Sequence, residues 1–501
     1  MKKNIFKKII LAVVAIVLVF LPYGIFTLYA TRQPHVYSQT YYAALVDKVN
    51  LLEKNKNRKK IILIGGSNVA FGFNSKLIEE EFNDYKVINF GLYAALGTKI
   101  MLDLSLDYIG EGDLVFVIPE ADEQSLSLYF DSLSTLKATE DKTELINKLP
   151  EENKENIKNN YFSFVKERSQ YSQIINPGET VYRRNNFNEY MDIEYLERDN
   201  LGQVVTDEFG HPISLRTKNI MKGNHFITPT IEFSTLGKNN NFYNYLNEYS
   251  NKVKKRGGEC YFSFCPVNEL AVQSTEEQID NYYWLTRQKI NFKCIGHPEE
   301  YLIDPHYFYD TNFHLNDAGS IYRTYLFISD LLRDVFSISK QPSFEIPDLP
   351  EYPTINPAEE EDSESAKYFN MEEIDGGYYI ESVKSEYSNL ASMDLPSIYN
   401  KKYVVGIREK AFVNSSLQQI TIPESYAVFD NGCFDDCLSL TKVFLQQLSP
   451  SKLIVDFTGG LINSVNAQFK FYIPNKAITA YKTDYNWQFY SSYFVGYDYE
   501  A

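Results

Sequence analysis

Short apolar runs that alternate with longer amphipathic ones set the strongest limit on how this chain folds. "KKIILIG" (Lys59–Gly65), "YKVINFG" (Tyr85–Gly91), "GDLVFVIP" (Gly112–Pro119), "ECYFSFCP" (Glu259–Pro266) and "NFKCIGH" (Asn291–His297) read as strands. Each is apolar at successive positions, so both faces of an extended chain would be buried. Between them, "NSKLIEEEF", "GTKIMLDLSLDYI" and "TEEQIDNYYWLTRQKI" have helical spacing. Strands buried on both faces and separated by helices are the mark of a parallel sheet. The pattern predicts a doubly wound α/β domain with ligands at the carboxyl ends of its strands.

The alternation is broken once and then ends. Residues from about 125 to 233 form a polar insertion, with a charge-rich helical stretch and the loop-like "NPGETVYRRNNFNEYMDIEYLERDN". Long excursions over a carboxyl edge often shape substrate pockets, and a solvated decoration fits the same composition. Residues 341–375, opening "QPSFEIPDLPEYP", are rich in proline and acid and predict an extended linker. Beyond it, "IREKAFVNSSLQQITIP" (Ile407–Pro423) is echoed by "FDNGCFDDCLSLTKVFL" (Phe429–Leu445). Ile407 matches Phe429, Phe412 matches Phe434, Leu417 matches Leu440 and Ile422 matches Leu445, at offsets of 22 and then 23 residues. That period lies in the leucine-rich-repeat range of about 20–29. The pattern resembles the repeats of BspA-like bacterial surface proteins and implies a small solenoid over 376–501.

"MKKNIFKK" carries four lysines, and Ile9–Ala30 follows without a charge. Roughly 20 apolar residues are enough to cross a bilayer. Cleaved signal peptides have shorter apolar regions, of about 7–15 residues, and end in a small-x-small site. Leu28-Tyr29-Ala30 is a poor match to such a site. Residues 1–32 are therefore expected to be a single-pass membrane anchor. The lysines would stay cytoplasmic, and the α/β domain (33–340) and the repeats would be extracytoplasmic. A net charge of -17 argues against nucleic acid as a partner. Five sparse cysteines predict buried thiols rather than a disulfide framework, and no Cys/His cluster has metal spacing.

The chemistry centres on "IILIGGSNVAFGF" (Ile61–Phe73). It has neither the glycine spacing of a dinucleotide fingerprint nor the lysine of a P-loop. A serine just past the first strand sits where ligands bind, and two preceding glycines permit close backbone approach. Ser67 is then a candidate nucleophile if a base reaches it. Among six histidines, His314 in "YFYDTNFHLNDAG" is the best placed. It precedes the N-cap-like Asn316-Asp317 pair of a long amphipathic pattern, and Asp310 four residues earlier is able to orient its ring. A loop histidine with an unrelated capping aspartate fits the same residues.

"IGGSN", "NFGLYAALG" and "DTNFHLNDAG" resemble the first, second and last blocks of the SGNH (GDSL-like) hydrolase and acyltransferase superfamily. The resemblance spans the α/β domain around its insertion and implies a flavodoxin-like sheet. It implies Ser67 as nucleophile, His314 as base and Asp310 as its orienting acid, with the N–H groups of Ser67 and Gly91 in an oxyanion hole. The chain departs from the family twice. The aspartate normally lies three residues before the histidine, where this chain has Thr311. The third block normally supplies an asparagine donor, where this chain has Glu120. Asn68, Asn89 and Asn268 are candidate replacements, and these three with Tyr93 and Glu120 are candidate pocket residues. The implied function is a membrane-tethered serine esterase or O-acyltransferase acting on cell-envelope polysaccharide, with an acyl donor and no metal or organic cofactor. The alternative is a catalytically inactive surface protein that binds a protein or glycan partner through its repeats.

Overall fold

Four of the five apolar runs span the core strands of a single sheet, and the fifth adds a short edge. In the computed structural model the described residues are 35–38, 40–174, 187–197, 203–219, 230–351, 361–374, 377–455, 460–462, 464–484 and 486–499, with isolated residues between 14 and 32. β5 (Val267–Asn268) and β7 (Leu302–Ile303) form a separate two-residue pair, and the strands of the main sheet are β1 (Lys60–Gly65), β2 (Lys86–Gly91), β3 (Leu114–Ile118), β4 (Glu259–Phe262) and β6 (Lys293–Cys294). They pair in the order β2-β1-β3-β4-β6, every pair parallel. Every residue of β1, β2 and β3 is buried, which is what apolar side chains on both faces require.

Helices fill the intervals between the strands. They are α1 (Ala44–Lys54), α2 (Ser67–Gly72), α3 (Ser75–Glu81), α4 (Thr98–Ser105), α5 (Ser132–Ala138), α6 (Glu151–Ile174), α7 (Asn240–Lys255), α8 (Glu276–Lys289) and α9 (Asp317–Asp330). Phe242, Tyr243, Leu246, Tyr249 and Val253 form the buried stripe of α7 at helical spacing. Thr275 and Gln278 start α8 with a capping box. The Asn316 side chain accepts from the N–H of Gly319 and starts α9.

The part of the insertion around Tyr190–Ile193 is fastened to the sheet rather than left in solvent. The Asn89 N–H donates to the Tyr190 carbonyl at 3.1 Å, and the Ile193 N–H to the Ala70 carbonyl at 3.1 Å. The Asp192 carboxylate accepts from the Ser75 N–H (2.8 Å) and hydroxyl (2.6 Å) at the start of α3. The expected anchor, residues 1–32, lies almost wholly outside the described residues. Among those described, no helix is long and apolar enough to cross a membrane.

The C-terminal region stacks strands in parallel. β8 (Phe369–Ile374) pairs antiparallel with β9 (Gly377–Val383), and β10 (Ser392–Asp394), β11 (Ile398–Tyr399) and β12 (Lys402–Ile407) follow. Then come β13 (Gln419–Ile422), β14 (Val428–Phe429), β15 (Lys442–Leu445), β16 (Lys470–Pro474), the short helix α10 (Ile478–Thr483) and β17 (Phe494–Tyr497). One sheet runs β10-β13-β15-β16-β17, all parallel, and a second runs β11-β12-β9-β8 with β14 beside β12. Ile407 lies opposite Phe429 and Ile422 opposite Leu445. Phe412 stacks on Phe434 at 5.9 Å and 9°. These are the pairs that the 22- and 23-residue offsets align. β8 falls inside the segment expected to be linker up to residue 375. Phe369 explains this, since its buried ring joins the repeat core.

Candidate active site

The sheet register alone brings two candidate side chains together. Gly65 at the end of β1 pairs with Ile118 at the end of β3. Ser67 and Glu120 each lie two residues further on, over the carboxyl edge of adjacent strands. The Ser67 hydroxyl donates to Glu120 Oε1 at 2.8 Å, and the Asn68 N–H donates to the same oxygen at 3.0 Å. A Cβ on Gly66 would stand 2.7 Å from that oxygen, so glycine is needed for the carboxyl to approach the turn. Both Ser67 and Glu120 are buried. Burial first, and then the neighbouring Asp122, push the Glu120 carboxyl above its ordinary range. The hydrogen bonds from Asn68 and Ser67 and the charge of His314 act in the opposite sense.

His314 arrives from the loop before α9. Thr311 Oγ1 accepts from the N–H groups of Phe313 (3.2 Å) and His314 (3.0 Å), and the His314 carbonyl accepts from Tyr309. Thr311 thus shapes the turn. That turn lets Asp310, one residue earlier, reach His314 Nδ1 at 2.7 Å. An ionised carboxylate only accepts, so Nδ1–H is the donor in this contact and Nε2 is left for other partners. The imidazole stacks on Phe71 at 4.0 Å and 1°. Phe71 lies four residues after Ser67 in α2, and residues at that spacing share a helix face. The ring is therefore held against the helix that Ser67 begins. Attack by Ser67 requires its hydroxyl to exchange Glu120 for this imidazole.

The other candidates are committed to protein partners. Asn68 Nδ2 donates to the Ile118 carbonyl (3.0 Å), and its Oδ1 accepts from the Gly66 N–H (3.1 Å). Asn89 Nδ2 donates to the Val69 carbonyl and to Asp192, both at 2.8 Å. Asn89 Oδ1 takes the N–H of Gly91 at 3.1 Å, the group assigned to the oxyanion hole. Gly91 also lets β2 approach α2, since a Cβ there would press on Val69 and on the Gly66 carbonyl. Asn268 pairs with Asn312 through side chains (3.1 Å) and backbone (3.0 Å), bracing the loop that carries His314. The Tyr93 ring packs on Tyr41 (5.7 Å) and Tyr42 (5.2 Å).

Two cations escaped the sequence reading. Buried Arg216, from the insertion, donates to the carbonyls of Ile193 (2.5 Å), Phe71 (2.7 Å) and Leu315 (2.7 Å). Its guanidinium lies 5.0 Å from the Phe71 ring centroid. It therefore joins the insertion, the helix bearing Ser67 and the residue after His314. Lys48 on α1 donates to the carbonyls of Asn89 (3.0 Å) and Met191 (2.7 Å), and burial lowers its pKa to about 7 against the pull of Asp192 and Asp47. Nothing around "SLRTKN" or "LVDKVN" marks either residue, because each acts on carbonyls far away in sequence. All five cysteines are free thiols. No group of three or more His, Cys, Asp or Glu among the described residues is placed to hold a metal.

Comparison with known proteins bears on the repeats. Residues 368–455 match the BspA type leucine rich repeat region family, in six copies. No curated protein matches the chain. Among solved structures, a leucine rich cell surface protein from Faecalibacterium prausnitzii A2-165 is similar at 18% identity and a TM-score of 0.16. The match covers 23% of this chain and 32% of that one, so it spans about a third of the solved protein. The C-terminal region is a BspA-type leucine-rich-repeat region joined to a mixed α/β domain built on a parallel sheet.

Proposed function

We propose that this chain is an extracytoplasmic surface protein that recognises a protein or glycan partner through its leucine-rich repeats. The observation that carries this reading is the six-copy family match over residues 368–455. Stacked repeats present an extended surface suited to binding. The lysine-flanked apolar segment Ile9–Ala30 supports a membrane tether with the bulk of the chain outside. Deletion of residues 361–501 is expected to abolish the chain's phenotype while Ser67→Ala leaves it intact. The reverse result assigns the phenotype to Ser67.

A second reading rests on a separate observation, the 2.7 Å contact of Asp310 with a histidine stacked against the serine's helix. In this reading the α/β domain is an SGNH-type serine esterase or O-acyltransferase acting on envelope polysaccharide. Its strand order matches the flavodoxin-like pattern, whose ligands lie at the switch point beside the first strand. Ser67 and Glu120 flank that point. Ser67 takes an acyl group from a donor as an ester, with His314 receiving the hydroxyl proton, and water or a glycan hydroxyl releases it. The test is a fluorophosphonate probe on the detergent-solubilised full chain, with the modified residue mapped by mass spectrometry. Labelling of Ser67 that fades in His314→Ala is the expected result. An unlabelled chain, beside a serine esterase that reacts, leaves binding as the sole function.

A further inference from the structure

The Ser67–Glu120 pair takes the place where the superfamily keeps a neutral donor, and its geometry suggests how an acid serves there. Both hydrogen bonds to the Glu120 carboxyl converge on Oε1, from the Ser67 hydroxyl and the Asn68 N–H. Oε2 has no hydrogen-bond partner among the described residues. With both donors on Oε1, the acid proton of a neutral Glu120 sits on Oε2, the oxygen left free to donate. No lysine or arginine pairs with Glu120 among the described residues, and it is buried. The titratable groups around it are Asp122 beyond β3, the Cys265 thiol beyond β4, and His314 with its partner Asp310. Of these only the imidazole is able to carry a positive charge. Apolar burial beside a second acid is the setting in which a carboxyl stays neutral and donates a hydrogen bond. The upward shift of the Glu120 carboxyl, caused first by burial and then by Asp122, has the same sense.

We propose that Glu120 works as a neutral carboxylic acid whose Oε2–H donates a hydrogen bond to the oxyanion formed on an acyl-ester substrate at Ser67. The inference rests on the reading of Ser67 as a nucleophile. Ser67 Oγ forms the new bond to the acyl carbon, its proton passes to His314 Nε2, and the carbonyl π pair moves onto the oxygen. Glu120 Oε2–H holds that oxygen and keeps its proton. Collapse breaks the bond to the leaving alkoxide, which takes the proton from His314. An ionised Glu120 in this position would repel the same oxyanion. The side chain thus replaces the donor that the commitment of Asn68, Asn89, Asn268 and the Gly91 N–H leaves missing.

The test follows p-nitrophenyl acetate hydrolysis by the detergent-solubilised full chain across pH. Wild-type activity is expected to fall as pH rises through the titration of Glu120. Glu120→Gln keeps a donor and cannot ionise. It is expected to lose no more than about tenfold at neutral pH and to show no alkaline fall. Glu120→Ala is expected to lose about 10²–10³-fold, the usual effect of removing one oxyanion donor. Carbon-13 NMR of glutamate-labelled full chain gives a readout that needs neither substrate nor a folded Ala variant. One glutamate carboxyl should remain protonated at pH 7, and Glu120→Gln should remove its signal. Full ionisation of every glutamate at pH 7 overturns the inference, as does a Gln variant no better than the Ala variant. If Ser67 reacts with the fluorophosphonate and Glu120 is ionised, this inference alone falls. If Ser67 does not react, the nucleophile reading and the inference fall together.

Discussion

The α/β domain and the repeat region place polar groups in opposite ways. Lys48, Asn89, Glu120, Asp192, Arg216 and Arg323 are all buried in the first, whereas Asp430, Asp484 and Gln488 are the only buried polar side chains among the described residues of the second. The repeats have little use for more. Successive parallel strands satisfy one another's backbone groups, and the interior fills with residues such as Phe412, Phe434, Phe469 and Phe471. The α/β domain instead holds irregular segments against the carboxyl edge of its sheet. Their carbonyls need donors from side chains, because a buried group left unpaired is costly. Polar burial therefore marks where the fold positions a site, and apolar periodicity marks where it builds a surface.

The largest expected effect comes from breaking the repeat core. Phe434 is fully buried between Phe412 and Phe469. Phe434→Ala should cost about 3–5 kcal/mol. Hydrogen exchange should accelerate through β12–β16 and remain unchanged in α2 and in the loop bearing His314. A rise in both regions would break the comparison by showing that they unfold as one unit. Arg216→Ala should produce the reverse pattern. It leaves the carbonyls of Phe71, Ile193 and Leu315 without their donor, at about 1–3 kcal/mol for each group left unmet. Partial rehydration brings the expected net loss to about 3 kcal/mol. Exchange should rise around Phe71 and Leu315, and labelling of Ser67 should slow, with the repeats unaffected.

What could be read from the sequence follows the range of the interactions. β1 to β4 lie within the apolar runs because burial on both faces leaves a local signature, and Gly65 and Gly91 close the first two as the runs suggest. The repeats are legible for a similar reason, since a period of 22 or 23 residues recurs along the chain and places Ile407 against Phe429. The site is legible only in its outline. Asp310 and His314 are near in sequence and meet through a turn shaped by Thr311. The partner of Ser67 is Glu120, 53 residues away, chosen by strand register rather than by any motif. Arg216 and Asp192 sit in an insertion whose polarity suggests solvent equally well, and only the folded chain shows which of its charges turn inward.

Lys48 offers the finest test of the contrast, because the described residues of the repeats bury no lysine or arginine. Its folded pKa of about 7 lies below the 10.5 of an exposed lysine, with burial as the main cause. Between those values the unfolded chain binds the extra proton and the folded chain does not, so stability rises with pH through the window. A neutral amine still has two hydrogens for the carbonyls of Asn89 and Met191, and loss of the proton leaves both hydrogen bonds intact. Lys48→Met removes the titration. From pH 7 to 8.5 the wild type should therefore gain about 1.5 kcal/mol relative to the variant, as measured by urea unfolding. Equal slopes would mean that Lys48 remains charged in the fold. In that case Asp192, whose carboxyl burial pushes up and which touches Ser75 and Asn89, would have to be its compensating anion. The α/β core would then rest on a buried ion pair rather than on a neutral amine.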